Sequence, residues 1–120
     1  RVQPFCQHFG VCGGCQWQML PYEKQLHYKH RQVADVLQRI GKIPLPEIRP
    51  IAGAAETRFY RNKLEYTFST KEFTPAKPSG PASPANGVLG FHAKGFFDKA
   101  VHIEKCWLQP EPTNALRNAI

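Results

Sequence analysis

Between Gln16 and Ile40, apolar side chains return every three or four residues. Tyr22, Leu26, Val33, Val36 or Leu37, and Ile40 fall on one stripe, which predicts a helix with one apolar face. Pro21 suits the first turn, where its missing N–H costs nothing, and Gly41 stands where a C′ glycine would end the helix. Lys24, Lys29, His30, Arg31 and Arg39 occupy the other face, which is ordinarily solvated. Pro44, Pro46, Pro50 and Gly53 make 42–57 read as an extended connector. The period then changes to two. Tyr60, Leu64, Tyr66 and Phe68 alternate with Arg61, Lys63, Glu65 and Thr67, predicting a strand over 59–69 that is buried on one face. Strands at 88–92 and 96–101, on either side of Ala93-Lys94-Gly95, would complete a small antiparallel meander. The Pro-, Ser- and Ala-rich stretch 74–86 cannot form a core and reads as a mobile hairpin loop without functional signal. A last helix is predicted from Pro112 or Thr113, with Thr113 as a plausible N-cap. The fold class is therefore α+β: a small antiparallel sheet, one long N-terminal helix, and a loop at the N-terminus that carries cysteines.

Length and charge narrow the picture. A chain of 120 residues can form one domain with a modest core, or a piece of a larger one. It stops at Ala119-Ile120, inside what reads as a starting helix, as a truncated chain would. Sixteen Lys and Arg against nine Asp and Glu give a net charge of +7, which suits a polyanionic partner such as nucleic acid. The opening Arg1-Val2-Gln3-Pro4-Phe5 does not resemble a signal peptide, and no run reaches the roughly 18 apolar residues of a membrane span. The expected setting is the cytoplasm, where thiols stay reduced and clustered ones serve metals.

The candidate chemistry lies in the cysteines. Cys6, Cys12 and Cys15 form a C-x5-C-x2-C run, and Cys106 is the only other cysteine. Three thiolates so close in sequence can turn toward one point, and the distant fourth can close the shell. Gly13 and Gly14 would permit the tight, positive-φ backbone that such convergence needs. The spacing lies one residue from the plant-type ferredoxin pattern and fits paired-CxxC zinc layouts less well. A cubane iron–sulfur site, a structural zinc, and disulfides such as Cys6–Cys12 with Cys15–Cys106 all stay open on spacing alone. His8 is a further possible zinc ligand. Trp107 and Ile103 would shield a metal site at Cys106 from water.

The words around these cysteines carry a resemblance. Cys6-x-His8-Phe9-Gly10-x-Cys12-Gly13-Gly14-Cys15-x-x-Gln18 is followed by Gln25-Leu26 and Lys29, then Tyr60-Arg61-Asn62-Lys63, Leu89-Gly90-Phe91-His92 and Ile103-x-x-Cys106-x-Leu108. Across nearly the whole chain this resembles the iron–sulfur-containing RNA (uracil-5-)-methyltransferases that modify uridine in 23S ribosomal RNA. The resemblance implies three parts: a TRAM domain, a central [4Fe-4S] domain, and a Rossmann-like domain binding S-adenosylmethionine. This chain matches the central part, with the TRAM and S-adenosylmethionine-binding domains absent. It implies that 1–16 and 51–120 form the partial iron–sulfur and RNA-contacting domain. The helix and linker 17–50 would pack against the missing catalytic domain. The helix stripe would then be exposed and open to self-association.

The same resemblance implies Cys6, Cys12, Cys15 and Cys106 as cluster ligands, leaving no catalytic residue in the chain, which would be inactive alone. Arg61, Lys63, His92 and Lys94 are the RNA-contacting candidates, with Arg61 and Lys63 on one strand face. Gln18 would order the cysteine loop by capping backbone groups. Two rival readings are a zinc-ribbon-like nucleic-acid module and a ferredoxin-like electron carrier. The basic strand face argues against the second.

Overall fold

A computed structural model describes residues 1–75 and 87–120, so most of the predicted loop 74–86 lies outside the described residues. The chain divides into two compact units: Arg1–Gln3 with Met19–Ala55, and Pro4–Gln18 with Glu56–Ile120.

In the first unit, helix α1 spans Tyr22–Asp35 and continues into one π-helical turn, Val36–Ile40. It begins later than its apolar period predicts. The residue before a proline is pushed out of the helical region, so Leu20 cannot extend the helix backward. Pro21 itself, at ψ 144°, is the cap rather than a first-turn residue. Its carbonyl accepts the amides of Lys24 at 2.9 Å and Gln25 at 3.1 Å. At the other end Gly41 keeps a right-handed φ of −70°, and Lys42 takes the left-handed φ of 50° instead. The connector folds back along the helix: the Ala54 amide donates to the Tyr22 hydroxyl at 2.7 Å, and Gly53 lies against Leu26. No residue of α1 or its π turn is buried, and Val33, Val36, Leu37 and Ile40 are exposed.

The second unit holds a three-stranded antiparallel sheet, β1 Thr67–Ser69, β2 Val88–His92 and β3 Ala100–His102, in the order β1-β2-β3. Phe68 pairs with Leu89, and Phe91 with Val101. The first predicted strand shrinks to its last three residues because Phe59 sits at φ 55°, outside the strand region. Its neighbourhood is tied elsewhere: Phe59 N–H donates to Trp107 O at 2.8 Å and Arg61 N–H to Leu108 O at 2.9 Å. The alternation also fails at Phe68, which is 72% exposed while Leu64 and Tyr66 are half-buried. The third predicted strand starts only at Ala100. Residues 93–99 form a turn closed by Ala93 N–H to Lys99 O at 2.9 Å. Residues 71–73 run parallel beside β3, with Ala100 N–H donating to Lys71 O and Phe73 N–H to Ala100 O. Helix α2, Thr113–Asn118, follows.

Ala93, Val101, Ile103, Cys106 and Leu108 form the buried core, with Val11, Cys12, Cys15, Leu64, Phe73 and Phe91 packed on it. The cysteine loop is thus part of the hydrophobic core rather than an appendage to it.

Gly90 lets β2 and β3 approach: a Cβ there would overlap the Val101 carbonyl oxygen. Gly90→Ala should cost about 3 kcal/mol, the upper range of ordinary substitutions, measured by denaturant unfolding. An unchanged midpoint would contradict the pairing described.

Candidate metal centre

The loop 6–15 is built by short-range backbone bonds. Phe9 N–H donates to Cys6 O at 3.1 Å, and the Val11 and Cys12 amides both reach His8 O, at 3.2 and 2.9 Å. The residue in the left-handed region is Gly10, at φ 93°, and not the tandem glycines expected to supply it. Gly13 is needed for space instead. Its N–H donates to His92 O at 2.9 Å, and a Cβ on it would stand 2.9 Å from that same oxygen. With Lys94 N–H on Val11 O at 2.8 Å, the loop is zipped antiparallel to residues 92–94. Gln18 closes the far side, its Oε1 accepting the Cys6 amide at 3.2 Å.

Cys106 comes from the core, held at both ends of its peptide unit. Its N–H donates to Asn114 Oδ1 at 2.7 Å, and Asn114 Nδ2 donates to its carbonyl at 3.1 Å. The result is one pocket lined by all four cysteines, with Phe9, Phe91, Ile103, Trp107 and Leu108 making its walls apolar. All four are free thiols. Backbone donors are aimed at two of the sulfurs: Gly14 N–H lies 3.3 Å from Cys12 Sγ, and the His8 and Phe9 amides address Cys6. Such donors suit thiolates, since a neutral thiol is only a weak acceptor.

Burial opposes that charge. It pushes the Cys12 thiol up to about 11, against the pull of the Gly14 amide, and the other cysteines push in the same direction. Burial likewise raises Cys6, with Cys15 and Cys106 adding to it. Deprotonating these thiols in an apolar pocket would require a cation among them, and a set of four cysteines fits a metal–thiolate centre. Among the described residues, no three Cys, His, Asp or Glu side chains converge tightly enough to grip a single ion. A single zinc needs each sulfur about 2.3 Å from one point, whereas a polynuclear cluster is gripped at its corners by sulfurs spaced more widely. All four cysteines line the same pocket, and the wider spacing that a polynuclear cluster tolerates is the one compatible with this arrangement. His8 lines the same pocket, but its Nε2 already accepts the Glu104 amide at 3.1 Å, and burial lowers its pKa.

The RNA candidates are more scattered. Arg61, Lys63, His92 and Lys94 are all exposed. Arg61 and Lys63 do not project from a strand face, because no strand forms there, and Lys63 pairs with Glu65 at 2.9 Å. The His92 ring bonds Thr67 Oγ1 at 3.1 Å. His92 and Lys94 meet the cysteine loop through their backbones rather than their side chains. Beside the pocket, Trp107, expected only as a shield for Cys106, gathers Arg58, Phe5 and Phe59, which the sequence reading missed in this role. The Arg58 guanidinium stands 4.3 Å from the Phe5 ring centroid and 5.1 Å from Trp107, Lys105 Nζ lies 4.3 Å from Trp107, and Phe59 packs on Trp107. Tyr66, Asn114 and Arg117 were missed as well. The i, i+3 pair Asn114 and Arg117 was the available signal, since it puts two polar side chains on one helix face.

Metal uptake must displace protons from the thiols, against the raised pKa values of Cys6 and Cys12, so affinity should fall as pH falls. Metal content after dialysis should drop between about pH 8 and about pH 6. Retention independent of pH would contradict thiolate ligation.

Among the described residues no helix is long and apolar enough to cross a membrane. No protein-family profile matches the chain. Along its length, however, the chain is similar to proteins named uncharacterized RNA methyltransferases. One from Bacteroides thetaiotaomicron is 56% identical over 100% of this chain and 27% of the relative. One from Porphyromonas gingivalis is 46% identical over 98% of the chain and 26% of the relative. One from Chlorobaculum tepidum is 39% identical over 100% and 26%. The chain spans about a quarter of the length of these curated relatives and is similar, end to end, to that portion of proteins bearing the name RNA methyltransferase.

Proposed function

We propose that this chain is the metal-holding and RNA-contacting portion of an S-adenosylmethionine-dependent RNA methyltransferase. Its cofactor is a [4Fe-4S] cluster held by Cys6, Cys12, Cys15 and Cys106, and its substrate is a uridine of 23S ribosomal RNA methylated at C5. The observation that carries this reading is the gathering of all four cysteines on one apolar pocket, in a chain similar throughout to RNA methyltransferases. The cluster supplies metal–sulfur bonds that tie the 6–15 loop to the core. All four thiols are committed to it, so the thiolate that adds to uracil C6 and the methyl-donor site belong to the rest of the enzyme.

The chain's own residues bind RNA. Methylation at C5 requires the base to leave its stack, and the unstacked strand needs positive charge and aromatic faces to hold it. The net charge of +7 and the exposed Arg61, Lys63 and Lys94 supply the first. The Phe5–Arg58–Trp107–Lys105 group, with Phe59 40% exposed beside it, supplies the second.

Binding of single-stranded RNA to the wild type and Arg61→Ala, at two salt concentrations, tests this directly. Loss of one phosphate contact should lower the salt slope by about 0.7. Equal binding by both proteins would remove Arg61 from the interface. The parent enzyme should transfer labelled methyl groups from S-adenosylmethionine to 23S ribosomal RNA, and failure to label uridine C5 would contradict the assigned reaction.

A further inference from the structure

Arg117 is 5% exposed, and among the described residues it has no carboxylate partner. Its guanidinium is spent on neutral acceptors. Nη2 donates to the carbonyls of Ile103 at 2.6 Å and Glu104 at 3.1 Å, and Nη1 donates to Asn114 Oδ1 at 3.0 Å. Nε is buried with no partner at all. The nearby carboxylate of Glu111 is occupied by Asn114 Nδ2 and the Ala115 amide. A buried cation without an anion is costly, and proteins retain one where an anion balances it.

Two short routes lead from Arg117 to Cys106. One runs through Asn114, whose Oδ1 accepts both from Arg117 and from the Cys106 amide. The other runs through Tyr66, whose hydroxyl accepts from Arg117 Nη1 at 3.4 Å and interacts with the Cys106 side chain. Arg117 Cζ also lies 5.3 Å from the Tyr66 ring centroid. Both Cys106 and Arg117 are buried, so little water screens one from the other.

We infer that Arg117 is the built-in counter-charge of the four-cysteine centre, and that Asn114 and Tyr66 are positioning residues that convey its effect to Cys106. The inference rests on the metal–thiolate reading above. A centre bound by four thiolates is anionic, and each electron it accepts adds negative charge. A fixed positive charge beside one ligand favours retention of the metal and raises the reduction potential. Hydrogen bonding to ligand sulfur acts in the same direction. The arrangement also accounts for the polar face that α2 turns inward, where an apolar face would otherwise be expected.

The test uses the chain purified and reconstituted without oxygen, in wild-type, Arg117→Met, Arg117→Lys and Tyr66→Phe forms. Two readouts are taken: the rate of iron loss to a chelator and the midpoint potential. Arg117→Met should lose iron about tenfold faster and titrate at a more negative potential. Arg117→Lys keeps the charge and should recover most of the potential even where its unfolding midpoint matches that of Arg117→Met. A merely structural role would make potential and retention follow stability instead of charge. Tyr66→Phe keeps its ring against Phe91 and should shift the potential the same way by less. That variant decides the matter if Arg117→Met does not fold. Wild-type potential and retention in Tyr66→Phe, or in a folded Arg117→Met, would overturn the counter-charge role alone. A wild-type chain that takes up no iron and sulfide would overturn the metal-centre reading and this inference with it.

Discussion

Gathering four cysteine sulfurs around one apolar pocket is the constraint on which the rest of the Pro4–Gln18 and Glu56–Ile120 unit depends. Each cysteine-bearing segment is anchored by a different device. The 6–15 loop is zipped to residues 92–94 by main-chain bonds that require glycine at 13, and Cys106 is gripped by Asn114 from α2. The three short strands supply little core of their own, so Cys106, with Cys12 and Cys15 packed nearby, replaces aliphatic side chains at its centre. An empty thiol pocket would leave amide donors facing weak acceptors and a guanidinium without an anion. On the proposed reading, the stability of this unit should be coupled to loading of its metal centre.

Charge is distributed to match. Among the described residues Arg117 is the buried cation, while Arg58 and Lys105 lie against the half-buried Trp107 ring, Lys105 also lining the cysteine pocket, and Arg61 and Lys94 stand in solvent. In the proposed account the inner cation balances the sulfurs, and the outer ones suit a phosphate backbone. Trp107 belongs to both regions, because it walls the pocket and carries two cations on its ring. The positive φ of Phe59 sits at that boundary, where a bulky residue accepts strain to hold its ring against Trp107.

The elements with strong local signals were legible in the sequence. The apolar period located α1, β2 matched its prediction, and α2 starts where expected, although Pro112 and not Thr113 is its N-cap and Thr113 makes no capping bond. Alternation misled over 59–69, because backbone bonds to residues 107 and 108 overrode it and no local pattern reports so distant a partner. The tandem glycines were rightly singled out for the wrong reason: Gly13 makes room for a carbonyl, and Gly10 makes the turn. The cysteines drew attention through spacing alone, and Gln18 proved to cap the loop as expected. Arg117 was invisible because a lone arginine in a short helix reads as solvated until its burial is seen.

The most direct test of the central claim is the iron, acid-labile sulfide and zinc content of the chain purified without oxygen, taken with its visible spectrum. About four irons and four sulfides per chain, with thiolate-to-iron absorption, is the result this account predicts. One zinc with no sulfide, or a disulfide-bonded chain that takes up no metal after reduction and reconstitution, would contradict it.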